Sequence, residues 1–161
     1  MRTVDTNTYV SALRELVEQG REVGLLISGT SMAPFLGHER DYIYFKRPDR
    51  PLVKGDMVFY QRLNGQFIMH RIYEAAPEGF YMVGDSQLAI EGPIGEHQIF
   101  AVVTAIKRKG KVMGPDHMMW KFFQGPWLYL PLRKLCIRAH RVLCRVLRRG
   151  GEPSDRSERD E

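Results

Sequence analysis

The stretch SGTSMAPFL, residues 28–36, sets Ser31 in a short loop with two further hydroxyls, Ser28 and Thr30, a glycine and a proline. Hydroxyl residues and glycine weaken helix and strand interiors, so a packed core has little use for this mixture. A serine hydroxyl becomes a nucleophile only beside a base, with donors waiting for the oxyanion that its attack creates. A glycine turn directly after a strand gives tight backbone geometry and exposed N–H groups, and Ser28 and Thr30 add nearby hydroxyl donors. A serine that merely builds a turn looks the same, so the loop needs partners to carry the argument.

QFIMHRIY, residues 66–73, offers a base. Side chains alternate along a strand, which puts His70 on one face with Ile68 and Ile72. Its ordinary pKa near 6.5 suits proton transfer at neutral pH, and predicts activity lost below about pH 6. A satisfied core histidine fits the same pattern. Asp85, in YMVGDSQ, is placed to orient the imidazole and stabilise its charged form; a turn aspartate after Gly84 is the plain alternative. His38 and Asp41 read as a surface loop and a strand start, and Met32 as a core anchor. Cys136 and Cys144 lack metal-ligand companions and are too far apart along one helix to pair, so they read as buried free thiols. No metal and no cofactor is expected.

These groups must be held by other elements. Residues 8–19 carry Val10, Leu13, Leu16 and Val17 at helical spacing, with Gly20 as a stop. Stretches rich in β-branched and aromatic residues follow at 23–28, 41–46, 57–62, 66–74, 79–83 and 98–108, bounded by Gly, Pro, Asp and Asn. Asn64-Gly65 marks a hairpin. The fold class is mainly β with flanking helices: a coiled antiparallel sheet or partly open barrel, with an amphipathic N-terminal helix and a basic C-terminal one.

In chain order SGTSMAPFL, VKGDMVFYQRLNGQFIMHRIY, GFYMVGDSQ and QIFAVVTAIKRKGK resemble the type I signal peptidases and their relatives, the self-cleaving repressor and mutagenesis proteases, over roughly Val23 to Lys111. The base in that family is lysine in many members. It is histidine in the endoplasmic-reticulum and sporulation types, in a context like His70-Arg71-Ile72. The resemblance implies Ser31 as nucleophile, His70 as base and Asp85 as acidic partner. It also implies the backbone N–H of Ser31 and one of Ser28 or Thr30 at the oxyanion, and an extended peptide or precursor protein with small residues at the cut as substrate. This sequence departs from the pattern in three places. SGTSM has one residue more between its serines than the S-G-S-M of most signal peptidases. Ser86, Gln87 and Glu91 stand where the histidine types often carry asparagines and aspartates. The N-terminal membrane anchor of the family has no counterpart in the charged, amphipathic first 20 residues.

Over 161 residues, 43% hydrophobic and 11% aromatic, the composition is that of one folded domain with short extensions. The boundaries read as an N-terminal helix to residue 22, a protease-like domain over 23–116, an aromatic and basic helical segment over 117–149, and a solvated tail over 150–161. The net charge of +5 is concentrated: seven Lys and Arg and no acid fall between Arg133 and Arg149. There a stripe of Leu128, Leu132, Leu135, Ala139, Val142 and Val146 runs behind an aromatic head of Trp120, Phe122, Phe123, Trp127 and Tyr129. Such a helix either lies in an anionic membrane surface or packs its stripe on the sheet with its arginines in water. Nucleic acid is disfavoured, because no aromatic-basic interleaving appears on the strands. No signal peptide and no membrane span is expected, which places the chain in the cytoplasm or peripherally at the inner face of a membrane. The leading function is a serine endopeptidase with a Ser-His dyad assisted by Asp; the alternative is a non-catalytic peptide-binding or membrane-associated module on the same scaffold.

Overall fold

Apolar residues recurring every three or four positions make helix α1 (Thr6–Glu18), whose Val10, Leu13 and Val17 are all buried against the sheet in a computed structural model that describes residues 6–149. Eight strands follow: β1 (Val23–Leu26), β2 (Asp41–Lys46), β3 (Met57–Gln61), β4 (Phe67–Ala76), β5 (Gly79–Val83), β6 (Glu91–Ile94), β7 (Ile99–Arg108) and β8 (Lys111–Met113). Two of these, β6 and β8, are absent from the alternation pattern, being only four and three residues long. They exist because a neighbouring strand supplies their hydrogen bonds. The β3–β4 hairpin closes through Asn64 and Gly65, where Gly65 takes φ 85° and Arg62 N–H donates to the Gln66 carbonyl.

All pairings are antiparallel, in the order β1-β2-β7-β3-β4-β5-β6 with β8 beside β7. The sheet is open and mainly β with flanking helices, as the pattern of short strands implies. β3 is buried on both faces, with Met57 and Phe59 in one core and Val58 and Tyr60 in the other. Bulges at Tyr44/Phe45, Phe59/Tyr60 and Ile72/Glu74 strengthen the twist. The consequence is visible in one cavity that Leu25 and Leu26 of β1 share with Phe59 of β3 and Met69 of β4, although β2 and β7 lie between β1 and β3 in the sheet.

After β8 come α2 (Met118–Gln124), a single tight turn at Pro126–Leu128, and α3 (Leu130–Arg149). Most of the aromatic head is core: Trp120, Phe123 and Trp127 are buried, and Phe35 packs on Trp120 and Phe123 at 5.9 and 4.7 Å between ring centroids. Phe122 and Tyr129 are exposed. Leu128, the first residue of the expected stripe, lies in the turn and is buried, but the stripe residues within α3 face the opposite way from a sheet-packed helix. Leu132, Leu135 and Val142 are exposed, while Arg133 and Ile137 are buried on the inner face. Cys136 is half-buried against the core. The expected tail at 150–161 and the side chains of Cys144 and Val146 lie outside the described residues. Among the described residues no helix is long and apolar enough to cross a membrane.

Candidate active site

The serine loop leaves β1 and is braced at both ends. Met32, Phe35 and Leu36 are buried and anchor it to the core, as expected of Met32. Gly29, at φ 104°, makes the turn ahead of Ser31, and its N–H donates to His38 Nδ1 at 3.1 Å. Asp41 opens β2 as expected but is not a surface residue. It is fully buried, accepts the Gly37 N–H at 2.8 Å and is gripped by Arg40 and Arg108, and Arg108 also donates to the Phe35 carbonyl. Burial raises the Asp41 pKa, but the hydrogen bonds from Arg108 and Arg40 outweigh it and hold the carboxyl below the usual range. Ser31 ends half-buried at the loop's tip, with Ser28 and Thr30 exposed beside it.

His70 sits in β4 opposite Val58 of β3, on the face of Ile68 and Ile72, and is buried. Its Nδ1 lies 3.3 Å from Tyr60 Oη, and Tyr60 Oη donates to Glu91 Oε2 at 2.9 Å. Burial first, then the hydrogen bond to Glu91 and its charge, raise the Tyr60 pKa, so the phenol stays protonated. Hydrogen bonds from Arg62 keep Glu91 ionised. An ionised carboxylate only accepts, so the phenol proton belongs to Glu91 and the imidazole proton on Nδ1 points at the Tyr60 oxygen. Nε2 is left with a free lone pair. Burial pushes the His70 pKa down to about 4, Glu91 opposes, and Arg62 and Arg133 add to the fall. The imidazole is therefore neutral at pH 7, and the titration expected near pH 6 moves to about 4.

Gly84 lies between this imidazole and the serine loop. A Cβ at this position would lie 2.7 Å from the Ser31 carbonyl oxygen and 3.0 Å from both His70 Nε2 and Gln87 Oε1, so only glycine lets these groups close on one another. Ser86 stitches the loop in place. Its N–H donates to the Ser31 carbonyl at 2.9 Å, and its Oγ to the carbonyls of Thr30 and Ser31 at 2.9 and 3.1 Å. Among the described residues no hydrogen bond joins Ser31 Oγ to His70.

Asp85 lies on the same turn, but its carboxylate does not meet the imidazole. Both oxygens are held by Arg71, at 3.0 and 2.8 Å, and the pair is fully buried. Arg71 also donates to the Gly55 carbonyl at 2.9 Å and covers the Phe35 ring at 5.1 Å. His70 and Arg71 are adjacent in a strand, so their side chains leave opposite faces, and Asp85 follows Arg71. The C-terminal segment grips the turn from behind: Trp127 Nε1 donates to the Asp85 carbonyl at 3.2 Å and Arg133 to the Gly84 carbonyl. Arg133 is buried, with Nε and Nη1 finding no partner among the described residues. Tyr60, which meets Nδ1, and Glu91, which lies behind it, carried no sequence signal except that Glu91 stands where the histidine-type peptidases often have asparagines and aspartates.

Ser31 and Ser28 line a mainly apolar cavity of about 260 Å³ with Tyr9, Leu25, Leu26, Phe59 and Met69. Ile27 turns its N–H to the Asp41 carbonyl and its own carbonyl to the Glu39 N–H, each at 2.9 Å or less. By the two-residue alternation of a strand, the backbone groups of Leu26 and Ser28 point to the unpaired edge of the sheet. A wider cavity of about 850 Å³, between Arg14, Arg47 and His97, lies elsewhere, with no serine or threonine among the described residues that line it. Comparison of the chain with family models, curated proteins and solved structures returns no match.

Proposed function

We propose that the chain is a serine endopeptidase in which Ser31 is the nucleophile and His70 the base. The observation that carries this reading is the meeting at Gly84: a neutral imidazole with Nδ1 satisfied and Nε2 unprotonated faces the loop that presents a half-buried serine. An extended peptide adds to the β1 edge and lodges an apolar side chain in the cavity beside Ser31. Substrate binding brings Ser31 Oγ to Nε2, since catalytic hydrogen bonds are often long before the substrate arrives. Ser31 Oγ then attacks the scissile carbonyl carbon and its proton passes to Nε2. The oxyanion is met by the Ser31 N–H and a hydroxyl of Ser28 or Thr30. The C–N bond breaks, the leaving amine takes the proton from Nε2, and water, deprotonated in turn by His70, hydrolyses the acyl-serine.

In this scheme Tyr60 and Glu91 hold the imidazole tautomer, and Asp85 is a positioning residue that acts through Arg71 on the turn. The resemblance of the serine loop and the His70 strand to signal-peptidase-like enzymes supports the same reading, and a cytoplasmic location or a peripheral one at the inner face of a membrane goes with it. The second reading, a peptide-binding module without chemistry, is favoured by the missing Ser31–His70 hydrogen bond. A fluorophosphonate probe separates the two. Labelling that is confined to Ser31 and lost in Ser31→Ala supports the enzyme; an unlabelled, folded protein that still binds extended peptides supports the module.

A further inference from the structure

We propose that the outer face of α3 is a docking surface for an anionic lipid bilayer. Leu132, Leu135, Ala139 and Val142 fall three or four positions apart and so lie on one side of the helix. That side faces solvent, with Leu135 68% and Val142 58% exposed, and Tyr129 just before the helix is 67% exposed. The opposite side is committed to the body of the protein through Ile137, in the core, and Arg133, which donates to the Gly84 carbonyl. The helix therefore cannot roll its apolar stripe inward without withdrawing both.

Charge selects the occupant. Lys134 and Arg138 are exposed beside the stripe, and residues 117–149 contain no Asp or Glu. A second copy packed stripe to stripe would oppose cations with cations, whereas an anionic headgroup layer neutralises them. An apolar stripe bordered by Lys and Arg on a helix of low mean hydropathy is the pattern of a helix lying in the interface plane, with tyrosine at headgroup level. Docked in this way, α3 would carry the Gly84 turn, and with it the serine loop and the imidazole, to the membrane surface. The proposal rests on α3 alone and does not depend on hydrolysis.

The test is co-sedimentation of the full chain with sucrose-loaded vesicles, either of phosphatidylcholine alone or of phosphatidylcholine with one quarter phosphatidylglycerol. Binding is expected to the anionic vesicles and to fall with added salt. Lys134→Gln with Arg138→Gln should weaken it about 25-fold, at about five-fold for each cation removed. Leu135→Gln with Val142→Gln should abolish it, and circular dichroism melting should show all variants folded as the parent. Equal binding to both vesicle types, no binding to either, or a dimer in sedimentation equilibrium that Leu135→Gln disperses would each overturn the proposal.

Discussion

Asp85→Asn removes the carboxylate that neutralises Arg71 inside the protein, at nearly constant volume. Arg71 and Asp85 are both 0% exposed, so the guanidinium has no water to fall back on. Stranding one partner of a buried ion pair costs about 3–5 kcal/mol. Arg71 keeps the Gly55 carbonyl and the Phe35 ring, which places the cost near the lower end, about 3 kcal/mol. Against a total stability of about 5–15 kcal/mol the variant still folds. At about 2–4 °C per kcal/mol for a domain of this size, its Tm should fall by about 10 °C. Urea unfolding followed by tryptophan fluorescence measures the loss directly, because Trp127 is bonded to the Asp85 carbonyl. Arg71→Met combined with Asp85→Leu removes both charges and should recover stability to within about 1 kcal/mol of the parent, since apolar replacement of a buried pair is often neutral or better. The pH midpoint of hydrolysis should stay where it is in Asp85→Asn, because the charges that act on His70 are Glu91, Arg62 and Arg133. Unchanged stability with collapsed hydrolysis and a shifted midpoint would refute this and return Asp85 to the imidazole.

Other outcomes follow from the same geometry. Unfolded His70 binds a proton below about pH 6.5 and the folded residue only near 4, so stability is lost as pH falls through that window, by about 3 kcal/mol in all; His70→Asn should remove this part of the difference between urea midpoints at pH 7 and pH 4, leaving the smaller loss near pH 4 that the depressed carboxyls of Glu91 and Asp41 contribute. Hydrolysis of a fluorogenic peptide should stay level from pH 8 to 5 and decline only near 4, unlike the profile of an exposed histidine. Tyr60→Phe deprives Nδ1 of its acceptor and should lower kcat roughly 10- to 100-fold with KM little changed, less than the roughly 10²- to 10⁴-fold that general acid–base catalysis itself contributes. Gly84→Ala pushes a methyl between Ser31 and His70 Nε2, and should cost about 1–3 kcal/mol of stability and most of the activity, measured by unfolding and by probe labelling of Ser31.

The sequence by itself determined what depends on neighbours along the chain. The period-two pattern placed His70 on the face of Ile68 and Ile72, Asn64-Gly65 closed the β3–β4 hairpin, and Val10, Leu13 and Val17 marked the buried side of α1. Local backbone geometry dictates these, and a short window of residues contains all of it. The partners of those side chains were decided by the tertiary structure alone. Asp85 reads as a mate for the imidazole, yet Arg71, one residue along and on the other face, takes it. Tyr60 and Glu91 reach His70 because β3 lies beside β4, and β6 beside β5, in the coiled sheet. The stripe of α3 is plain in the sequence, but helical periodicity names a face without saying what it meets. Arg133 and Ile137, drawn in by the Gly84 turn and the core, turned that stripe to solvent.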